Sequence, residues 1–139
     1  MSPATPVVAD TQVLIWYVIE PERLTAPADE ALDAATNADE AIYVPAYSLV
    51  ELTYAVEKVT NPLTEDDRQA ILEELARDDT PFEVLPVTTA IANRVAGVPR
   101  DNTADPGDRI IAATAEELGV ALVSADRQMQ STCRTPVIW

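Results

Sequence analysis

Histidine is absent from the 139 residues. That removes the imidazole general base, the Ser-His-Asp triad and every His metal ligand. One cysteine, Cys133, stands alone. It excludes an internal disulfide and a Cys-rich zinc site, and it points to a reducing cytoplasm. Three glycines, Gly97, Gly107 and Gly119, are too scattered for a phosphate-cradling loop or a dinucleotide fingerprint. The longest apolar run, Val13 to Ile19, is far too short to span a membrane. No basic region precedes an apolar one at the N-terminus, so no signal peptide is expected. Positive charge is also scarce. Nine bases face 24 acids, the net charge is −15, and Lys58 is the only lysine. Such a surface repels itself and lacks the general basic face that draws in nucleic acid.

What is present is a chain that is 47% hydrophobic and long enough for one domain, residues 1–139, with a sizeable core. Residues 1–5 read as frayed. Val7 to Ala9 forms a short strand ending at Asp10, and Thr11 to Ile19 is apolar on nearly every side, which predicts a buried helix with Trp16 and Tyr17 in the core. Residues 28–37 form an Ala-rich helix with Ala31, Leu32 and Ala35 inward, and Ala41 to Val44 is the second strand. A helix opens at Pro45 and reaches Val59 on a stripe of Leu49, Leu52, Val56 and Val59. Thr64 caps the next helix, with Ile71 and Leu75 inward. Phe82 to Leu85 is a strand, Thr88 to Ala96 a helix ended by Gly97, and residues 98–104 a polar loop. A short segment at 127–131 precedes a last strand at Pro136 to Trp139. Short apolar strands alternating with helices predict a three-layer α/β/α sandwich with a short, mostly parallel sheet.

The stretch DPGDRIIAATAEELGVALVSAD, residues 105–126, organises the rest. Asp105 caps a helix, Pro106 takes its first position and Gly119 stops it. Val120 to Val123 is a buried strand, after which Ser124 and Asp126 turn. At 3.6 residues per turn Asp108 shares the inward face of Ile111 and Ala115, while Arg109, Glu116 and Glu117 fall away. An inward carboxylate is costly unless a cation meets it.

Asp10 follows the first strand and Asp126 the fourth. Ligands of doubly wound sheets bind outside the carboxyl ends of strands where strand order reverses. If those two strands are neighbours, both acids face one crevice, with Asp108 and Glu51 on its rim. Carboxylates without imidazole suit a hard cation, Mg²⁺ or Mn²⁺. Each acid taken singly also reads as a helix cap, and Ser48 with Glu51 spells a capping box. Thr11 and Ser124 place hydroxyls beside the acids, either to support them or to close turns.

The chain resembles PIN-domain proteins of the VapC toxin type over nearly its whole length. VVADTQVLIW is similar to the family's opening block and maps its aspartate to Asp10. YVPAYSLVEL maps the second block's glutamate to Glu51. DPGDRIIAATAEELGVALVSAD maps the last two aspartates to Asp108 and Asp126, and TPVIW is similar to the closing strand. The resemblance implies an endoribonuclease needing Mg²⁺ or Mn²⁺, held inactive by a cognate antitoxin, acting in the cytoplasm, and a homodimer. It implies Asp10 and Asp108 as metal ligands, Asp126 as a ligand directly or through water, and Glu51 as the group that orients or deprotonates the attacking water. Thr11, Ser124 and Asp105 would support them, and Arg109 and Arg127, each following a cluster acid, are candidate RNA contacts or surface ion pairs. A catalytically idle PIN scaffold that binds a protein is the alternative. A haloacid-dehalogenase-like phosphatase wants Asp-x-Asp after its first strand, where Gln12 holds the second place. A response-regulator receiver wants a lysine near its last strands, and Lys58 comes too early.

Overall fold

Two apolar trios, Val7–Ala9 (β1) and Ala121–Val123 (β4), lie side by side and in parallel at the centre of the molecule. A computed structural model describes residues 6–100 and 103–139. The frayed start expected at 1–5, and residues 101–102 of the expected loop, lie outside the described residues. Ile42–Pro45 (β2), Phe82–Leu85 (β3) and Val137–Ile138 (β5) complete one sheet of order β3-β2-β1-β4-β5. Every pairing in it is parallel. The chain winds outward from β1 to β3 and then returns to β4 on the other side of β1. The β1–β4 seam is therefore the point of reversal at which such sheets bind ligands.

Strand residues alternate between two cores, as a period of two requires. Val7 and Ala9 pack with Leu14, Leu32 and Leu52 on one face, while Val8 packs with Ile111, Ala112 and Met129 on the other. The first core draws on helices Thr11–Ile19 (α1), Ala26–Asn37 (α2), Tyr47–Glu57 (α3) and Glu65–Ala76 (α4). The second draws on Thr89–Arg94 (α5), Pro106–Leu118 (α6) and Arg127–Thr132 (α7). The result is the expected three-layer sandwich. No helix among the described residues is long and apolar enough to cross a membrane.

Caps explain most helix boundaries. Thr25, Thr64 and Thr88 each accept an amide hydrogen bond from the first turn of α2, α4 and α5. Helix α2 thus starts two residues before the Ala-rich run began. The expected helix start at Pro45 is corrected: Pro45 still pairs with Leu85 in the sheet, Ala46 N–H donates to Leu85 O at 2.7 Å, and α3 begins at Tyr47. The same helix ends at Glu57, ahead of the Asn61-Pro62 turn, and Val59 is fully exposed rather than on the inward stripe. Helix α1 matches its expected span, but only Thr11, Val13 and Leu14 are buried. Its outer half is half-buried, with Trp16 stacked 5.5 Å from Trp139 and Tyr17 edge-on to Phe82 at 5.0 Å.

Gly119 adopts φ 68°, the left-handed region, and closes α6 as expected. A side chain there would meet nothing within 4 Å, so only the backbone conformation opposes one. Gly119→Ala should cost about 1–2 kcal/mol in urea unfolding. Gly97→Ala, also in open space, should stay within about 0.5 kcal/mol of the parent.

Candidate active site

The seam delivers its acids through backbone register. Ala9 pairs with Val123, so Asp10 leaves β1 beside the point where Ser124 leaves β4. Asp10 N–H donates to Val123 O at 3.0 Å, and Ser124 N–H donates to Ile138 O at 3.1 Å. The Ser124 hydroxyl, fully buried, then donates to Asp10 Oδ2 at 2.6 Å and accepts the Asp126 N–H at 3.1 Å. One hydroxyl thereby ties the first acid to the loop that carries the last.

Helix α3 brings the third. The Thr11 hydroxyl donates to Glu51 Oε1 at 2.6 Å and lies 2.8 Å from the buried Ser48 Oγ. Helix α6 brings Asp108 in its first turn, where Asp105 Oδ2 accepts the Asp108 N–H at 3.0 Å. Asp10, Glu51, Asp105, Asp108 and Asp126 all line one cleft of about 640 Å³. The condition set by the sequence, that strands one and four be neighbours, is met.

Capping and cleft-lining separate here. Asp105 caps α6, and Asp126 caps α7 by accepting the Gln128 N–H at 2.9 Å, while both also face the cleft. Asp10 stands at the cap position of α1 but makes no side-chain cap bond, its carboxylate being turned to Ser124. The Ser48–Glu51 capping box does not form, because α3 starts at Tyr47 and puts Ser48 inside the first turn. Asp108 accepts no hydrogen bond from the described side chains. Two inward acids are therefore left with no local structural task.

Their electrostatics follow. Burial pushes Asp108 up to about 7, and the charges of Asp10, Asp105, Asp126 and Glu51 push the same way. Burial also raises Asp10, against the pull of the Ser124 hydroxyl and the Thr11 and Gln12 amides. Glu51 is raised by burial, with the Thr11 hydrogen bond opposing and Asp10 and Asp105 reinforcing. Among the described residues no three acids converge tightly enough to cage an ion as they stand. They face one another across open space instead, which is what carboxylates without a counter-charge do. The donors are all oxygens, and the raised acids gain by any cation placed among them, so the set fits a hard divalent ion.

The expectation that Arg109 contacts RNA is corrected. Its Nη2 donates to Val95 O at 3.0 Å and Val98 O at 2.9 Å, so the guanidinium staples α6 to the turn after α5. Position on α6 turns it away from the cleft that Asp108 enters. Arg127 is exposed at the start of α7, outside the residues that line the cleft. Sequence reading missed Ser48 and Gly107. A Cβ on Gly107 would sit 2.5 Å from Glu51 Oε2 and 3.0 Å from Tyr47 Cε1, so the glycine makes room for the Glu51 carboxylate. The available signal was a poor helix former in the first turn of a helix.

This fold and acid cluster define a PIN domain. The family model for the PIN domain matches residues 7–134, and the chain belongs to that family. Ribonuclease VapC22 of Mycobacterium tuberculosis is 32% identical over 127 residues, covering 91% of this chain and 92% of that protein. Among solved structures, VapBC2 of Rickettsia felis bound to a promoter DNA fragment superposes with a TM-score of 0.69 at 13% identity, covering 96% of this chain and 97% of that one. VapBC-5 of M. tuberculosis, a member of the VapBC family of toxin–antitoxin systems, gives 0.58 at 26% identity over 97% and 96%.

The Asp108 shift has a thermodynamic consequence. Its carboxyl holds a proton up to about 7 in the folded chain and only to 3.8 in the ordinary state. The folded form binds more protons between those values, so its stability falls as pH rises through that window and the penalty is complete above it. Asp108→Asn should raise the metal-free melting temperature at pH 8 and leave it unchanged below pH 3.8.

Proposed function

We propose that this single domain, residues 1–139, is a metal-dependent endoribonuclease and the toxin of a toxin–antitoxin pair, acting in the cytoplasm on RNA. The observation that carries the reading is the meeting of Asp10, Glu51, Asp108 and Asp126, from four separate segments of a PIN-family chain, at the reversal point of the sheet. The VapBC toxin–antitoxin complexes among the similar structures support an antitoxin as protein partner, and the resemblance to VapC-type toxins implies a homodimer. The lone, buried Cys133 is consistent with a reducing compartment.

Asp10 and Asp108 would hold Mg²⁺ or Mn²⁺, with Asp126 joining directly or through water. When bound, the ion supplies a water of lowered pKa and offsets charge on the phosphodiester. Glu51, its carboxyl raised by burial and held by Thr11, is suited to take the proton of an attacking water. Thr11 holds the Glu51 carboxylate in place, and Ser124 fixes the rotamer of Asp10. Asp105 sets the first turn of α6 and so the approach of Asp108.

Purified, partner-free protein incubated with RNA should cleave it in Mn²⁺ and not in chelator. Asp10→Asn and Asp108→Asn should abolish cleavage, and Ser124→Ala should lower it about 10- to 100-fold, as loss of an orienting partner does. An idle scaffold would leave RNA intact in every condition.

A further inference from the structure

The proposed reaction leaves one wall of the cleft unused. Tyr47, Glu51, Tyr54, Ala55 and Lys58 all line it, at the three- and four-residue steps that make one face of a helix. Tyr54 is 66% exposed, an aromatic ring in the cleft with a large free surface. Lys58 lies seven positions beyond Glu51, roughly 10 Å along the axis of α3. Beyond it the cleft continues into a second groove of about 520 Å³ that shares Gln12, Ile15, Ala55 and Lys58.

Charge makes Lys58 distinctive. The ion pairs among the described residues engage Arg23, Arg68, Arg77 and Arg94, and none engages Lys58. Arg109 is spent on backbone carbonyls. Among the described residues, Lys58 is the only cationic side chain lining a cleft that five acids share. A polyanion entering this cleft meets repulsion at the Asp10–Asp108 end and attraction only at the far end of α3. The free ring of Tyr54 lies one helical turn before Lys58 on the same face of α3, between it and Glu51 in sequence.

Resting on the ribonuclease reading, we infer that the α3 wall is the substrate track: Lys58 holds a phosphate flanking the scissile one, and Tyr54 stacks an unpaired base. Tyr54 stacking needs an unpaired base, because a duplex buries the base faces. Lys58 and Tyr54 are positioning residues and touch no reacting atom.

The test is Mn²⁺-dependent cleavage of an end-labelled, random-sequence single-stranded RNA pool under protein excess. Wild type, Lys58→Gln, Tyr54→Ala and Tyr54→Phe are compared across a range of KCl. Lys58→Gln should raise the half-saturating protein concentration at low salt and reduce its log–log salt slope by about 0.7, the loss of one single-strand phosphate contact. Tyr54→Ala should raise that concentration about 5- to 150-fold, the range for one lost base stack, with Tyr54→Phe close to wild type. Maximal rates should stay the same in all four, and an annealed duplex should be cut poorly. Wild-type cleavage with half-saturation and salt slope unmoved by the substitutions would overturn the track and leave the nuclease standing. A change of oligomeric state in Tyr54→Ala, with RNA handling intact, would assign the wall to a protein partner and overturn it equally. No cleavage by wild type would remove both readings.

Discussion

The Ser124 hydroxyl is the joint on which the site depends. It donates to an acid 114 positions away and accepts the amide of another. That double bond is possible only because β1 and β4 run in parallel with Ala9 opposite Val123. A one-residue slip of β1 would turn Asp10 to the other face of the sheet, away from Ser124. The joint also settles a conflict. A buried carboxylate at a helix start would ordinarily cap that helix, and Asp10 does not, because Ser124 holds it toward the cleft. The electrostatic cost is visible in the raised Asp10, Asp108 and Glu51 carboxyls. The fold holds these groups where protonation or a bound cation relieves them.

The parts of this arrangement that were legible in the sequence are those governed by local chemistry. Helix α6 announces both ends, with Asp105-Pro106 at one and Gly119 at the other. Thr64 and Thr88 mark two more starts. Asp108 could be placed on an inward face from its spacing to Ile111 and Ala115. A mostly parallel sheet was expected as a pattern, but the β1–β4 seam only as a condition, because strand adjacency is a long-range fact that spacing does not fix. What local chemistry did not reveal was decided by partners far along the chain. Pro45 stays in the sheet because Leu85 pairs with it. Arg109 turns from the cleft because the carbonyls of Val95 and Val98 lie on its side of α6. Thr11 serves Glu51, 40 positions on, and not the adjacent Asp10. Gly107 is small for the sake of a carboxylate on a different helix.

The strongly acidic composition poses the main tension for a nuclease. The surface offers no broad basic face, with a net charge of −15. Most arginines of the described residues are committed to carboxylates or carbonyls. On the proposed reading, binding of a polyanion would rest on a few local contacts and on counter-charge inside the cleft, and not on long-range steering. Such an enzyme would meet its substrate slowly and select it by fit in the cleft.

The central claim is that the carboxylates at the sheet's reversal point form a hard-cation site. Calorimetric titration of Mn²⁺ into the folded, partner-free chain at pH 7 tests it most directly. The account predicts saturable uptake accompanied by proton release, because the Asp108 carboxyl still carries a proton part of the time near pH 7. It predicts the loss of that uptake in Asp10→Asn. No uptake by the folded wild-type chain, or uptake that Asp10→Asn leaves unchanged, would contradict it.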